Sequence, residues 1–133
     1  MGVTLRHAIK ISATPDGVFQ ALTDPTQMAS WHDGTVEGEV ATGSVLFLDS
    51  KPGLRFGWET KELVPNERIV QACVEGPGSS AGKTLTLVLT DLGSGLTQLE
   101  LSDGEWNDGD SSLPHCNTHW GGVLHRLKSY VEG

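Results

Sequence analysis

The sequence predicts an α+β fold, in which a strongly curved antiparallel sheet of about seven strands surrounds a long C-terminal helix. Residues 114–131 carry apolar side chains at spacings of three and four, the period of a helix with one apolar face. Residues 35–103 alternate mainly with a period of two, interrupted by short turn segments. Because one amphipathic helix cannot bury its apolar face alone, we expect it to pack against a sheet.

Each shorter element has its own signal. The order is one strand at 3–11, two short helices, and six strands. Thr14 and Asp24 are the expected N-caps of the two helices, each followed by a proline suited to the first turn. The later strands are predicted at 35–40, at 43–48, from Leu54 to a break at 64–68, at 69–75, and as a hairpin of 83–91 and 96–103. Lys51-Pro52-Gly53 is a predicted turn.

The long helix has an expected start and one unusual feature. Ser111 or Ser112 is the predicted N-cap, and Pro114 suits the first turn. Gly121 and Gly122 lie in mid-helix, where each glycine costs roughly 1 kcal/mol relative to alanine. They predict the close approach of a sheet backbone or a ligand, with a local bend as the alternative.

Composition limits the class of protein. A chain of 133 residues predicts a single domain, 1–133. Its net charge of −8 argues against nucleic acid and anionic membrane surfaces as partners. The first residues lack the apolar region of a signal peptide, and no run approaches the roughly 20 apolar residues of a membrane span. We therefore expect a cytoplasmic protein without membrane insertion.

In its order of elements the chain resembles the START-like (SRPBCC, Bet v 1-like helix-grip) superfamily. Within it, the chain is similar to the group related to the heat-shock-protein-90 ATPase activator C-terminal domain and to polyketide cyclases. The segments that carry the resemblance are 11–25, with Thr14-Pro15-Asp16 and Thr23-Asp24-Pro25; Trp31; 64–70, with Val64-Pro65-Asn66-Glu67-Arg68; Gly104-Glu105-Trp106; and Trp120 with 126–131. The resemblance implies a cavity between the sheet and the long helix, but no common set of catalytic residues.

The aromatic residues independently favour such a cavity, because aromatic walls with a few polar groups are typical of small-molecule pockets. The alternative is that these residues simply fill the core. The predicted ligand-binding residues are Trp31, Phe47, Phe56, Trp58, Cys73, Trp106, His115, His119 and Trp120.

Other polar motifs carry groups capable of chemistry. His115 and His119 have a metal-capable spacing but lack a well-placed third ligand, so we predict no metal and no cofactor. A cavity histidine, or an inward Glu59, Glu75 or Glu100, could act as an acid or base. Residues 103–110 only partly match a calcium-binding loop, and we expect a solvated, mobile loop and a candidate lid there.

Three functions follow as expectations. The first is binding of a small hydrophobic or aromatic ligand in the cavity. The second is an enzyme of the polyketide cyclase or dehydratase type, whose catalytic residues the sequence does not identify. The third is a co-chaperone-like interaction module, and a homodimer is one expected assembly.

Overall fold

The computed structural model describes residues 2–32, 34–50, 55–77 and 79–133. Seven strands form one antiparallel sheet in the order β1-β7-β6-β5-β4-β3-β2. The strands are β1 (Gly2–Ile11), β2 (Gly34–Gly38), β3 (Val45–Ser50), β4 (Arg55–Val64), β5 (Arg68–Glu75), β6 (Thr84–Gly93) and β7 (Leu96–Asn107). The helices are α1 (Pro15–Thr23), α2 (Pro25–Trp31) and α3 (Leu113–Glu132). The predicted turn at Lys51-Pro52-Gly53 and the predicted position of Leu54 lie outside the described residues.

Both short helices begin where the sequence predicts. The Thr14 hydroxyl accepts a hydrogen bond from the Gly17 amide at 3.3 Å. The Asp24 carboxylate accepts one from the Thr26 amide at 2.9 Å. Each side chain thereby satisfies an amide that the first helical turn leaves without a backbone acceptor. The two predicted caps are confirmed.

The sheet is an almost continuous meander, because β2 to β7 each pair with the next strand and β1 closes on β7. The register shifts once between β1 and β7, twice between β4 and β5, and once between β6 and β7. Such bulges bend a strand and increase its twist. The predicted architecture, a curved antiparallel sheet around a long C-terminal helix, is therefore confirmed. Among the described residues, no helix has the length and apolar character needed to cross a membrane.

Helix α3 is anchored to the rest of the fold mainly through its second half. Leu124 and Leu127 are its buried residues, and Lys128 Nζ donates to the Lys10 carbonyl at 2.8 Å. The Glu132 carboxylate accepts from the Ser12 amide at 2.8 Å. Tyr130, which the sequence places on the apolar face, is 37% exposed.

The start of α3 is held by a neighbouring loop rather than by a capping side chain. Ser112 occupies the N-cap position, but its hydroxyl makes no capping hydrogen bond. Instead, the Asp110 carboxylate accepts a hydrogen bond from the Ser112 amide at 2.8 Å and another from the Ser79 hydroxyl at 2.5 Å. These two bonds lower the pKa of Asp110 and connect the 79–82 loop to the first turn of α3.

One expectation about the region before α3 is wrong. Residues 103–107 belong to β7 and do not form a solvated loop, and Asp103 and Trp106 are both only 2% exposed. The physical reason is register, since Thr97, Leu99 and Leu101 face inward and Asp103 continues their alternation. An acidic residue followed by glycine had indicated a loop, but strand pairing with β1 and β6 overrides that preference.

The glycine pair of α3 has free space beside it. A Cβ atom built on Gly121 would meet no described heavy atom within 4 Å, and one built on Gly122 would meet only the end of Arg126 at 3.5 Å. The predicted close approach of a sheet backbone is therefore wrong for Gly121.

We expect Gly121→Ala to raise the free energy of unfolding by roughly 0.5–1 kcal/mol, because alanine loses less backbone entropy in a helix and meets no obstacle. Urea denaturation followed by circular dichroism measures this change. Gly38→Ala is the control and should destabilise, since Gly38 has φ +98° and its Cβ would lie 2.4 Å from the Val45 carbonyl oxygen. A loss of stability in Gly121→Ala would contradict the free space.

Candidate ligand-binding cavity

A cavity of about 640 Å³ lies between the concave face of the sheet and the first half of α3. This volume falls within the roughly 300–1,000 Å³ of typical ligand pockets. Leu85, Leu87 and Leu101 of β6 and β7 contribute to its sheet side, and Met28 of α2 lines it as well. The lining is predominantly apolar, so the cavity suits a guest with little polar surface.

Seven of the nine predicted site residues lie on the wall of this cavity. They come from α2, β4, β7 and α3, which are distant in sequence but meet around the same space. They are Trp31, Phe56, Trp58, Trp106, His115, His119 and Trp120.

Phe47 was predicted to line the cavity, but the structure places it on the opposite face of the sheet. Its ring is covered by the Arg55 guanidinium, whose carbon is 4.2 Å from the ring centroid. Arg55 also pairs with Asp49 at 2.7 Å and Glu37 at 3.3 Å. The period-two alternation of β3 makes the neighbouring Leu48 the cavity residue. The sequence predicted the right strand but the wrong face.

Cys73 was also predicted to line the cavity, but it lies outside the lining. It is nevertheless buried, with 2% exposure. Its thiol donates to the Glu75 carbonyl at 3.2 Å. Burial raises the pKa of this thiol to about 11, so it is protonated at neutral pH and a poor nucleophile. Cys116 does line the cavity, and burial raises its pKa as well.

Aromatic rings cluster where α3 crosses β4. Phe56 stacks on His119 with ring centroids 5.8 Å apart, and Trp58 lies tilted against Trp120 at 6.0 Å. Trp58 and Trp120 therefore touch, yet they leave the cavity open beside them. Contacts of this kind each contribute about 0.5–1.5 kcal/mol beyond buried area. They fix the first half of α3 over the cavity.

The two predicted histidines differ in environment. His115 is exposed at the edge of the cavity, whereas His119 is partly buried in the aromatic cluster. Burial, with smaller contributions from Arg126 and His32, lowers the pKa of His119 and favours the neutral imidazole at pH 7. In the part of the chain that the structure describes, no three His, Cys, Asp or Glu side chains form a group able to hold a metal ion.

The sequence missed the acidic group of the cavity, which is Asp103. It lies on the wall with 2% exposure, and its Oδ2 accepts a hydrogen bond from Trp120 Nε1 at 2.8 Å. Burial raises the pKa of Asp103, although the indole N–H groups of Trp120 and Trp106 act in the opposite direction. The period-two pattern from Thr97 onward was the signal that could have found it.

None of the three strand glutamates considered from the sequence lines the cavity. Glu59 pairs with Lys61 at 3.2 Å, and Glu75 and Glu100 are exposed. Besides Cys116, the titratable side chains that line the cavity among the described residues are therefore Asp103, His32, His115 and His119.

A curved seven-stranded sheet gripping a long helix over a cavity defines the SRPBCC-type helix-grip class that the sequence resembles. Residues 12–132 match the family model described as activator of Hsp90 ATPase homolog 1-like protein. The chain belongs to this family. No curated protein matches the sequence.

Solved structures are similar over almost the whole chain. The Aha1 dimer from Colwellia psychrerythraea has a TM-score of 0.88 at 24% identity, covering 98% of this chain and 96% of that one. PFC0360w, an HSP90 activator from Plasmodium falciparum, has a TM-score of 0.81 at 18% identity, with 96% and 95% covered. DynU16, a protein in the dynemicin biosynthetic locus, has a TM-score of 0.81 at 25% identity, with 97% of this chain and 47% of that chain covered.

Proposed function

We propose that this protein binds a small, largely apolar ligand with an aromatic part in the cavity under α3. The observation that carries the proposal is the cavity itself, about 640 Å³ inside a chain of 133 residues. The wall is predominantly apolar. A guest that covers it removes this surface from water, which is the main driving force for binding in such pockets.

The shape of the wall supports an aromatic guest. Flat rings of Trp31, Phe56, Trp58 and Trp106 lie around the space, and such rings prefer offset-stacked or edge-to-face partners. The Trp31 indole N–H donates to the Ala21 carbonyl at 2.9 Å, so this ring offers the cavity an apolar surface. Gln71 also lines the cavity, and its side-chain amide donates to Thr60 Oγ1 at 3.2 Å.

A second candidate is a proton-transferring enzyme of the polyketide cyclase or dehydratase type, which the buried Asp103 and His119 favour. Burial alters the pKa of both groups, a condition common at sites of acid–base chemistry. A co-chaperone-like role is supported by the family description and by the structural similarity to PFC0360w. A homodimer is supported by the similarity to the Aha1 dimer.

The test is a cavity-blocking variant examined with a panel of aromatic and lipid-like compounds. Leu101 lies on the cavity wall, so we expect Leu101→Trp to place the larger ring in the empty space and to change stability by less than about 1.5 kcal/mol. Compounds that raise the melting temperature of the wild type should bind the variant at least about ten-fold more weakly, a difference of 1.4 kcal/mol. Thermal unfolding and calorimetric titration provide the two readouts.

Leu99→Trp is the matched control on the same strand. Leu99 is 0% exposed and does not line the cavity, so the larger ring has no space and should destabilise by about 1–3 kcal/mol or more. Equal affinity in the wild type and Leu101→Trp would contradict binding in the cavity. Turnover of a bound compound would favour the enzyme, whereas complex formation with the chaperone that Leu101→Trp leaves unchanged would favour the co-chaperone.

A further inference from the structure

We propose that His119 and Arg126 of α3 form an anion subsite at one edge of the cavity, so that the aromatic guest carries a carboxylate group there. This inference rests on the proposed function, because it names the ligand class of the same cavity. The guest then has two parts, an apolar body inside the cavity and a single negative charge beside α3.

His119 is the side chain that the carboxylate contacts. It lies on the cavity wall, and its ring stacks on Phe56 with centroids 5.8 Å apart. Its two ring nitrogens make no hydrogen bond to a described residue, and neither nitrogen is completely buried. Because a neutral imidazole keeps one N–H group, His119 presents a hydrogen-bond donor that the described part of the protein leaves unused.

Arg126 directs a positive charge towards His119 along the same face of α3. Its Nη1 atom lies 3.5 Å from the position that a Cβ atom on Gly122 would occupy, and Gly122 is three residues from His119, on the same side of the helix. Helical side chains point back towards the N-terminus of the helix. The glycine therefore gives the guanidinium space to lie over the turn that follows His119.

The charge of Arg126 has no ion-pair partner in the part of the chain that the structure describes. The cations that form ion pairs with described residues are Arg55, Lys61, Arg68 and Lys128. Arg126 is partly buried and forms none, and such a charge is costly without a counter-ion. Because Arg126 lies outside the cavity lining, it attracts an anion at His119 through its charge and not by direct contact.

Among the described residues, no carboxylate offsets the positive charge near His119. Burial, Arg126 and His32 all lower the pKa of His119, and no acidic group acts in the opposite direction. Asp103, the acidic residue of the wall, is held instead by the Trp120 indole N–H at 2.8 Å. The net charge of −8 repels an anion at long range, but salt screens such repulsion beyond about 8 Å at physiological ionic strength. The nearby positive charge therefore decides which group binds at this edge.

A carboxylate fits this environment better than other polar groups. It accepts a hydrogen bond from the His119 N–H and is attracted by Arg126. A neutral amide accepts the same bond but gains less, because it carries no net charge. An ammonium group has no lone pair for the N–H and is repelled by Arg126.

Binding of the carboxylate should be coupled to proton uptake. In the free protein the lowered pKa of His119 favours the neutral imidazole at pH 7, whereas a bound anion favours the imidazolium and raises this pKa. The complex therefore holds more protons between the two pKa values, and affinity increases as pH falls towards the lower one. The other charged or titratable groups on this wall or beside it are Arg126, His115 and Cys116 on α3, His32 at the end of α2 and Asp103 on β7.

The experiment measures affinity by isothermal titration calorimetry for β-naphthoate, β-naphthamide and β-naphthylmethylamine, which share one ring system. The wild type should bind naphthoate at least about ten-fold more tightly than naphthamide, as expected for a hydrogen bond to a charged group. His119→Phe keeps a ring to stack on Phe56 and removes the N–H, so it should abolish this preference. Arg126→Met should lower the preference several-fold, whereas Arg126→Lys, which keeps the charge, should retain most of it.

Two control variants match these changes. His125→Phe replaces an exposed histidine of α3, and Arg6→Met removes one positive charge from an exposed position of β1. Neither residue lines the cavity, so both variants should keep the ratio of naphthoate to naphthamide affinity. Titrations in buffers of different ionisation enthalpy measure proton uptake. Between about pH 8 and about pH 6, uptake should accompany naphthoate binding to the wild type but not to His119→Phe.

Equal affinity for naphthoate and naphthamide in the wild type would overturn the anion subsite while leaving cavity binding in place. Tightest binding of the amine would overturn it in favour of an ion pair with Asp103. A preference for naphthoate that survives in both His119→Phe and Arg126→Met would contradict it as well. Thermal unfolding shows whether each variant is folded, and Arg126→Met tests the subsite by itself if His119→Phe does not fold. Binding of none of the three probes would contradict both proposals.

Discussion

Replacing Leu127 by alanine is expected to lower the free energy of unfolding by about 2–5 kcal/mol, the range of buried leucine truncations. Leu127 is 0% exposed and, with Leu124, supplies the buried contacts of α3. The first half of this helix contacts the sheet through His119 and Trp120, and no residue there is fully buried as Leu127 is. Leu127 also lines the cavity, and its truncation would enlarge the existing space rather than let the core collapse.

Chemical denaturation followed by far-ultraviolet circular dichroism measures this effect. Because small domains are typically stable by only about 5–15 kcal/mol, the variant should lose a large share of its stability. Tyr130→Ala is the control on the same helix, since Tyr130 is 37% exposed and makes one long hydrogen bond of 3.4 Å to Gln27. Similar losses in both variants would show that Leu127 is not the anchor of α3.

Trp120→Phe is expected to destabilise the protein by about 1.5–3 kcal/mol at neutral pH, the range for losing a hydrogen bond to a charged group. The change removes the indole N–H that donates to Asp103 Oδ2 at 2.8 Å. The carboxylate would then keep only the weaker interaction with the Trp106 indole N–H, which does not reach hydrogen-bond geometry. The cost of an unpaired buried charge exceeds that of a lost neutral bond.

The effect should depend on pH in a defined direction. Burial raises the folded-state pKa of Asp103 above its ordinary value of 3.8, so the folded state binds more protons than the unfolded state between the two values. Stability from this group therefore increases as pH falls from above the folded pKa towards the unfolded one. Trp120→Phe raises the folded pKa further, so its destabilisation should be largest at neutral pH and shrink in acid.

Two comparisons isolate that pH dependence. Trp31→Phe removes an indole N–H bonded to a backbone carbonyl, so its cost should not change across the same pH range. In an Asp103→Asn background the group no longer titrates, so Trp120→Phe should lose the same free energy at every pH tested. A cost of Trp120→Phe that is constant from acid to neutral pH would contradict an ionised Asp103 in the wild type.

The structure also explains which site residues could be read from the sequence. Trp58 and Trp120 were identifiable because large aromatic side chains on an alternating strand and on the apolar face of a helix must face the same interior. Phe47 was misassigned because alternation by itself does not say which face of β3 is inward, and Leu48 is the residue at the wall. Asp103 was missed because an acidic residue beside glycine usually indicates an exposed loop.

The sequence by itself determined the order of elements, both short-helix caps and the amphipathic α3, because these depend on local periodicity and on side chains that satisfy neighbouring amides. Only the tertiary structure decided that space remains under the first half of α3 and that Asp103 faces into it. Those features depend on the register between β1, β6 and β7 and on how far the sheet bends. Register and curvature are set by contacts between residues far apart in the chain, such as Leu5 with Asp103, which no local pattern encodes.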